Sequence, residues 1–129
     1  MLKVSLLTIG DEILIGQTVN TNASWIASHV TTMGCAVVLN SVVGDEKSII
    51  ISEISRLIGA SDIVIITGGL GPTHDDITKS TLSEYFKDEL VFNPAVYERL
   101  KEMFQHRGYL MTERNEGQAW LPSKCKIFD

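Results

Sequence analysis

The stretch Ile63–Thr81, IVIITGGLGPTHDDITKST, carries the signals from which the fold is predicted. Its first five residues are apolar or β-branched, which is typical of a strand buried in a parallel sheet. Residues 77–86 have a helical pattern, and the glycines and the proline between the two segments indicate a tight connection. A strand that leads directly into a helix is the repeating element of parallel α/β folds.

Two further segments resemble the strand at 63–67, namely Val4–Ile9 and Ala36–Val43. Helical patterns lie between them, at about Asn22–Met33 and Lys47–Ile58. In the first helix the residues expected on the buried stripe are Trp25, Ile26, His29, Val30 and Met33. The alternation predicts an α/β fold of three layers, α/β/α, around a mostly parallel sheet.

The last third of the chain continues the mixture of strands and helices. We expect a short strand at Leu90–Phe92, a helix at Ala95–His106 after Pro94, and a helix at Glu113–Trp120 that Pro122 stops. The segment PSKCKIF at 122–128 reads as the start of another strand. The sequence thus predicts one domain over residues 1–129, incomplete at its C-terminus and part of a longer protein.

The composition excludes several classes of partner. The net charge of −5 argues against nucleic acid, because surfaces that follow phosphate backbones need clustered Lys and Arg. No apolar run reaches membrane-spanning length, and the N-terminus lacks the pattern of a signal peptide. We therefore expect a cytoplasmic protein that has free thiols at Cys35 and Cys125 and does not associate with membranes. The net charge does not exclude a small phosphorylated ligand as a partner.

Each of the three predicted strands ends in glycine followed by acidic residues. The three groups are Gly10-Asp11-Glu12, Gly44-Asp45-Glu46, and Gly68-Gly69-Leu70-Gly71 followed by Asp75-Asp76. Parallel strands end at one edge of the sheet, so these carboxylates are expected to converge. Converging carboxylates favour a cation such as Mg²⁺, which takes oxygen ligands and is often shared with substrate phosphates.

Simpler explanations exist for the same residues. Asp45 and Asp75 each stand where an N-cap of the next helix is expected. The glycines alone suffice for a tight turn. His74 is a weak candidate for a general acid or base, and Lys79 lies either near a bound phosphate or in solvent.

The glycine stretch is neither a Walker A loop nor a dinucleotide fingerprint, because the spacing of its glycines and lysine differs from both. Backbone N–H groups before a helix nevertheless bind anions without any basic side chain. The interpretation is that Gly68, Gly69 and Gly71 hold a phosphate while the acidic residues hold the metal that neutralises it.

The motifs TIGDEILIGQTVNTNASWIA, VVGDE, TGGLGPTHDDITK and NEGQAWLP together resemble the N-terminal domain of the competence/damage-inducible CinA family. That family belongs to the molybdopterin-binding superfamily of MoaB- and MogA-type proteins. The resemblance covers nearly the whole chain and implies a MogA-like fold, a homo-oligomer and metal-dependent ADP-ribose pyrophosphatase activity. The implied metal ligands are Asp11, Glu12, Asp45 and Asp76; the implied substrate-binding residues are Gly68, Gly69, Gly71, Thr73, Asn20, Asn22, Asn115 and Gln118.

The leading hypothesis is hydrolysis of a nucleotide pyrophosphate bond with Mg²⁺, Mn²⁺ or Co²⁺, in which Asp45 or Asp76 orients the attacking water. The alternative is a binding module that takes molybdopterin or another phosphorylated pterin or nucleotide without hydrolysing it. A third possibility is an oligomerisation domain without chemistry of its own.

Overall fold

The computed structural model of the chain describes residues 1–70 and 77–128. Its elements, in chain order, are β1 (Lys3–Ile9), α1 (Asp11–Leu14), α2 (Thr21–Thr32), β2 (Ala36–Val43), α3 (Lys47–Ala60), β3 (Ile63–Gly68), α4 (Ile77–Tyr85), β4 (Leu90–Phe92), α5 (Pro94–His106), α6 (Glu113–Glu116), a 3₁₀ turn (Gly117–Ala119) and β5 (Trp120–Pro122). The chain divides into two compact units, the first unit Met1–Gly69 and the second unit Leu70–Asp129. The division leaves the prediction of a single domain untested.

The first unit is built on a parallel sheet with the strand order β2-β1-β3. β1 pairs in parallel with both neighbours, so that Ile9 lies beside Val43 on one side and beside Gly68 on the other. The ends of the three strands therefore lie level with one another. This confirms the predicted α/β fold with a parallel sheet and the predicted convergence of strand ends.

The core of the first unit lies on both faces of β1, whose residues 4–9 are all buried. Val4 and Leu6 pack with Ala23 of α2. Successive strand residues point to opposite faces, so Leu7 and Ile9 face the other side, where α3 covers the sheet. The buried stripe of α3 consists of Ile50, Ile54 and Leu57. The result is the predicted order of helix, sheet and helix.

Three details of the first unit differ from the sequence-based expectation. The residues after β1 form a short helix, α1, where a loop was expected. α3 continues through Gly59 to Ala60. In α2 only part of the predicted stripe is inward: Ile26 and Val30 pack against the core, whereas Trp25 is 63% and Met33 78% exposed. The side of α2 that faces the sheet carries Ala23, Ile26 and Val30, so Trp25, His29 and Met33 lie on the outward side.

The second unit combines helices α4 and α5 with an antiparallel pair of short strands, β4 and β5. Phe92 pairs with Trp120, and their rings lie 5.8 Å apart. The loop before β4 is fixed by Asp88, whose carboxylate accepts hydrogen bonds from the Ser123 hydroxyl and from the Lys124 backbone N–H. The bond from Ser123, above all, lowers the pKa of Asp88.

The end of the chain was predicted incorrectly in two respects. The helix expected at Glu113–Trp120 stops at Glu116 and is followed by a 3₁₀ turn, and Trp120 already belongs to β5. PSKCKIF does not begin a strand, since β5 ends at Pro122 and residues 123–128 have no regular structure. The pairing of Trp120–Pro122 with β4 outweighs the local helical pattern. Within 1–70 and 77–128, no helix has the length and apolar character needed to cross a membrane.

Candidate functional site

Two of the three predicted acidic strand ends lie side by side in the first unit. The Asp45 backbone N–H donates to Oδ1 of Asp11 at 2.9 Å, and the Asp11 backbone N–H donates to Oδ2 of Asp45 at 3.4 Å. Each aspartate thus orients the other. The third acidic group, Asp75 and Asp76, lies outside the described residues, as do Gly71, Thr73 and His74.

Asp45 does not cap the helix that follows it. Glu46 holds the N-cap position of α3, and its side chain makes no capping hydrogen bond. The capping explanation for Asp45 is therefore wrong, and the Asp45 carboxylate instead accepts a hydrogen bond from the Asp11 backbone N–H. Asp75 lies outside the described residues, so the capping explanation for Asp75 stays a prediction.

The glycines before the acidic residues leave space for the carboxylates. A Cβ atom on Gly44 would lie 2.5 Å from Oδ1 of Asp11, and one on Gly10 would lie 2.7 Å from Oε1 of Glu12. Both distances are far below a normal contact, so a side chain at either position displaces a carboxylate. In this structure the two glycines thus leave room for the Asp11 and Glu12 carboxylates.

A cavity of about 180 Å³ opens at the ends of β1 and β3. Hydroxyl, amide and carboxylate side chains predominate in its lining, which consists of Thr8, Ile9, Glu12, Ile13, Thr18, Val19, Asn20, Thr21, Asn22, Thr67 and Gly68. Four of the predicted site residues meet here, namely Glu12, Asn20, Asn22 and Gly68. The cavity also places the N-terminus of α2 against the strand ends, where backbone N–H groups favour anions.

Asn20 has a structural role in this cavity. Its Oδ1 accepts from the Ala23 backbone N–H at 3.3 Å and so caps α2, while its Nδ2 donates to Oγ1 of Thr8 at 3.1 Å. The side chain therefore fixes the start of α2 against the end of β1. Asn22, two residues later, is exposed at the cavity wall.

Thr8 and Thr67 were not recognised as candidates from the sequence. They lie opposite each other in the β1–β3 pairing, and both line the cavity. The signal that identifies them is a hydroxyl residue near the end of a mostly apolar strand, one or two residues before a glycine.

The backbone at position 68 accepts only glycine. Its φ is +89°, and a Cβ atom there would lie 2.0 Å from the carbonyl oxygen of Ile9. Gly69 follows with a φ of +64°. The backbone geometry of the turn accounts for both glycines before any ligand is considered, and binding of phosphate by Gly68 and Gly69 stays a prediction.

The remaining candidates lie in the second unit. Asn115 belongs to α6, and Gln118 lies in the 3₁₀ turn at the edge of an apolar cavity formed with α5. Lys79 is only 8% exposed, and its ammonium group donates to the backbone carbonyls of Gly117 at 2.8 Å and Trp120 at 3.0 Å. The expectation of a solvated Lys79 is therefore wrong, because this ammonium group links α4 to the segment 117–120.

The predicted metal site is only partly covered by the structure. Over residues 1–70 and 77–128 no three His, Cys, Asp or Glu side chains are arranged to hold one ion. Asp11 and Asp45 lie side by side and Glu12 lines the cavity; carboxylate oxygens are ligands that Mg²⁺ takes, but these three are not grouped around one position. Asp76 is outside these ranges, and the metal stays a prediction.

Comparison with known families gives one match over almost the whole chain. A family described as "Probable molybdopterin binding domain" matches residues 5–126. Among curated relatives, a CinA-like protein from Cytophaga hutchinsonii is 46% identical over 95% of this chain, and a putative competence-damage inducible protein from Clostridium acetobutylicum is 40% identical over 98%. The chain spans 29% and 31% of the length of these two relatives.

Solved structures agree with this match. The protein CinA of unknown function from Thermoplasma acidophilum is 32% identical, with a TM-score of 0.85 over 96% of this chain and 72% of that one. The tungsten cofactor synthesizing protein MoaB from Pyrococcus furiosus has a TM-score of 0.65 at 23% identity, over 83% of this chain and 67% of that one. At that identity the second likeness shows the fold alone, and it confirms the predicted MoaB/MogA-like fold.

Proposed function

The chain belongs to the family of probable molybdopterin-binding domains and to its CinA-type members, and from this premise we propose that the cavity of the first unit binds a phosphorylated pterin. The proposal rests on one observation: hydrogen-bond donors and a negatively charged acceptor line different walls of the same cavity. The N-terminus of α2 offers hydrogen-bond donors at one wall, and the Glu12 carboxylate offers acceptors at another.

A phosphorylated pterin has the complementary groups. Its phosphate carries negative charge, which the N-terminus of a helix stabilises. Its ring carries N–H donors, and a carboxylate accepts from such donors in short, charge-assisted bonds. Among the described residues that line the cavity, Glu12 alone is negatively charged, so it is assigned to the ring rather than to the phosphate.

The size of the cavity limits how much of the ligand it holds. About 180 Å³ is less than the roughly 300–1,000 Å³ of sites for ligands of drug size. The cavity of the first unit therefore holds the phosphate and the nearest part of the ligand. Asn22, exposed at the wall, is positioned to donate its amide to a phosphate oxygen, whereas Asn20 is committed to the helix cap.

Calorimetry with a phosphorylated pterin and its dephosphorylated form tests the proposal. We expect tighter binding of the phosphorylated form, and a loss of about tenfold or more in affinity in Glu12→Gln, because a charged acceptor becomes a neutral amide. Glu102→Gln, a substitution of an exposed residue of α5, is the matched control and should leave affinity unchanged. Equal affinity for both forms, or equal affinity of wild type and Glu12→Gln, would contradict the proposal.

A second candidate function is metal-dependent hydrolysis of a nucleotide pyrophosphate bond, as in ADP-ribose. The adjacency of Asp11 and Asp45 at two strand ends favours it, with Glu12 close by in the sequence. A divalent ion, when bound, would polarise a phosphoryl oxygen and lower the pKa of a water. In this proposal Asp11, Glu12, Asp45 and Asp76 would hold the ion, and Asp45 or Asp76 would also orient the water, which adds to phosphorus as the bridging P–O bond breaks to release AMP.

The assay for this second candidate measures release of AMP from ADP-ribose with Mg²⁺, Mn²⁺ or Co²⁺. Asp45→Asn and Asp76→Asn are each expected to reduce the rate by about 100-fold or more, as loss of a proton acceptor does. Glu102→Gln again serves as the control. An unchanged rate in both aspartate variants would reject the proposed site, and no AMP release with any of the three ions would reject hydrolysis and leave the binding proposal standing.

A further inference from the structure

Thr8 is a polar residue in the most deeply buried strand of the first unit. It is 5% exposed, yet it belongs to the lining of the cavity at the ends of β1 and β3. Val4 and Leu6, on the same face of β1, pack in the apolar core against α2. A hydroxyl group in such surroundings costs free energy unless its hydrogen bonds are made, so the partners of Thr8 decide what it can do.

The cap of α2 fixes the direction of the hydrogen bond between Asn20 and Thr8. Asn20 Oδ1 accepts from the Ala23 backbone N–H at 3.3 Å, so the other branch of the amide is its NH₂ group. An NH₂ group can only donate, and Nδ2 donates to Oγ1 of Thr8 at 3.1 Å. Thr8 is therefore the acceptor in this bond, and its own hydroxyl proton is not used by Asn20.

The hydroxyl proton of Thr8 lacks an acceptor in the part of the chain that the structure describes. Over residues 1–70 and 77–128, Asn20 is the sole hydrogen-bond partner of the Thr8 hydroxyl. Thr67, which pairs with Thr8 between β1 and β3, lines the same cavity without bonding to it. A ligand in the cavity is thus positioned to supply the acceptor that the protein does not.

The start of α2 adds a second donor of this kind to the same lining. The backbone N–H of Thr21 donates to the carbonyl oxygen of Val19 at 2.9 Å, and that of Ala23 is taken by the capping side chain. For the N–H of Asn22, which stands between them, the described residues contain no acceptor. Asn22 and Thr8 both line the cavity, so the helix and the strand each contribute an unpaired donor to its wall.

We infer that Thr8 is a specificity-determining residue of the cavity, and that its hydroxyl, oriented by Asn20, donates a hydrogen bond to a negatively charged oxygen of the ligand. The inference rests on the proposed function, because it names the side chain that recognises the phosphate. A phosphate group carries three strong acceptor oxygens, and a hydroxyl that donates to an ionised oxygen makes a short, strong bond. Asn20 acts through Thr8 and is a positioning residue.

Selectivity follows from the cost of a donor that is left without an acceptor. A site built to hydrogen-bond a polar group discriminates strongly against an analogue that lacks the group, because the buried protein group then stays unpaired. A ligand without the phosphate leaves the hydroxyl proton of Thr8 and the N–H of Asn22 in that state. The cavity therefore favours a phosphorylated ligand over its dephosphorylated form.

NMR titration with inorganic phosphate, together with calorimetry on the phosphorylated pterin, tests the inference. Thr8→Val keeps the shape of the side chain without the hydroxyl, and we expect both ligands to bind about tenfold more weakly or worse. Thr8→Ser keeps the hydroxyl and should restore most of the affinity. Thr32→Val is the matched control, because the Thr32 hydroxyl donates to the Ser28 carbonyl oxygen within α2 and should not affect binding. Circular dichroism establishes that each variant is folded.

A double-mutant cycle tests the role of Asn20. In Asn20→Asp the helix cap is kept, since aspartate caps as well as asparagine, but the second oxygen can only accept and takes the proton of Thr8. The new negative charge also weakens phosphate binding, in the presence or absence of the Thr8 hydroxyl. We therefore expect Asn20→Asp to cost less affinity in the Thr8→Val background than in wild type. Equal losses in the two backgrounds would overturn the coupling of Asn20 to Thr8.

The outcomes separate this inference from the proposed function. If the phosphorylated pterin binds wild type and Thr8→Val equally well, or if Thr8→Ser loses as much affinity as Thr8→Val, the inference is overturned and pterin binding stands. If phosphate binding depends on Thr8 but the phosphorylated pterin binds no tighter than inorganic phosphate, the inference is supported and the pterin proposal fails. If neither ligand binds, both are overturned.

Discussion

Gly68→Ala is expected to disrupt the pairing of β1 with β3 at the edge of the sheet where the candidate site lies. A Cβ atom at Gly68 would lie 2.0 Å from the carbonyl oxygen of Ile9, whereas real Cβ atoms essentially never come within 3.0 Å of such an atom. The strands must therefore separate by about 1 Å at this pair, which breaks neighbouring hydrogen bonds worth about 1 kcal/mol each. The positive φ of +89° adds about 1–2 kcal/mol for any residue with a Cβ.

The expected loss in the free energy of unfolding is then about 3–4 kcal/mol, in the upper range of single substitutions. Gly34→Ala isolates the backbone contribution, because Gly34 has a φ of +91° and a Cβ atom added there would meet nothing within 4 Å. It should lose only about 1–2 kcal/mol. Urea unfolding followed by circular dichroism measures both variants. If Gly68→Ala loses no more free energy of unfolding than Gly34→Ala, the argument from the close contact with Ile9 is refuted.

Three other changes have expected outcomes. Leu57→Ala, at a fully buried position of α3, should cost about 3–5 kcal/mol in urea unfolding, whereas Ile58→Ala, 42% exposed on the same helix, should cost much less. Lys79→Met should cost about 2–3 kcal/mol by the same measurement, because two part-buried hydrogen bonds from a charged donor to backbone carbonyls are lost; an unchanged midpoint would contradict that role. The pKa of Asp88 is lowered on folding, so its carboxylate stabilises the fold above the unfolded pKa of 3.8, and this contribution is lost as the pH falls through the folded-state pKa. Melting curves taken from neutral to acid pH should therefore show a smaller acid-induced decrease in Asp88→Asn than in wild type, and identical decreases would count against the assignment.

The sequence by itself determined the alternation of strands and longer helices from β1 to α5 and the convergence of the ends of β1, β2 and β3. Apolar, β-branched runs that alternate with helical patterns indicate buried strands of a parallel sheet, and parallel strands end at one edge of that sheet. The prediction that Gly10-Asp11 and Gly44-Asp45 meet followed from those two facts alone, and the hydrogen bonds between Asp11 and Asp45 agree with it. The family resemblance rested on the same motifs.

The tertiary structure decided which polar residue does what and which apolar residue is buried. Asp45 and Asn20 both stand near the start of a helix, yet only Asn20 caps one, because capping depends on backbone angles that the residue type does not fix. Trp25 and Ile26 are both apolar and adjacent, yet only Ile26 packs against the core. Burial depends on what lies opposite each side chain, and those neighbours come from distant parts of the chain.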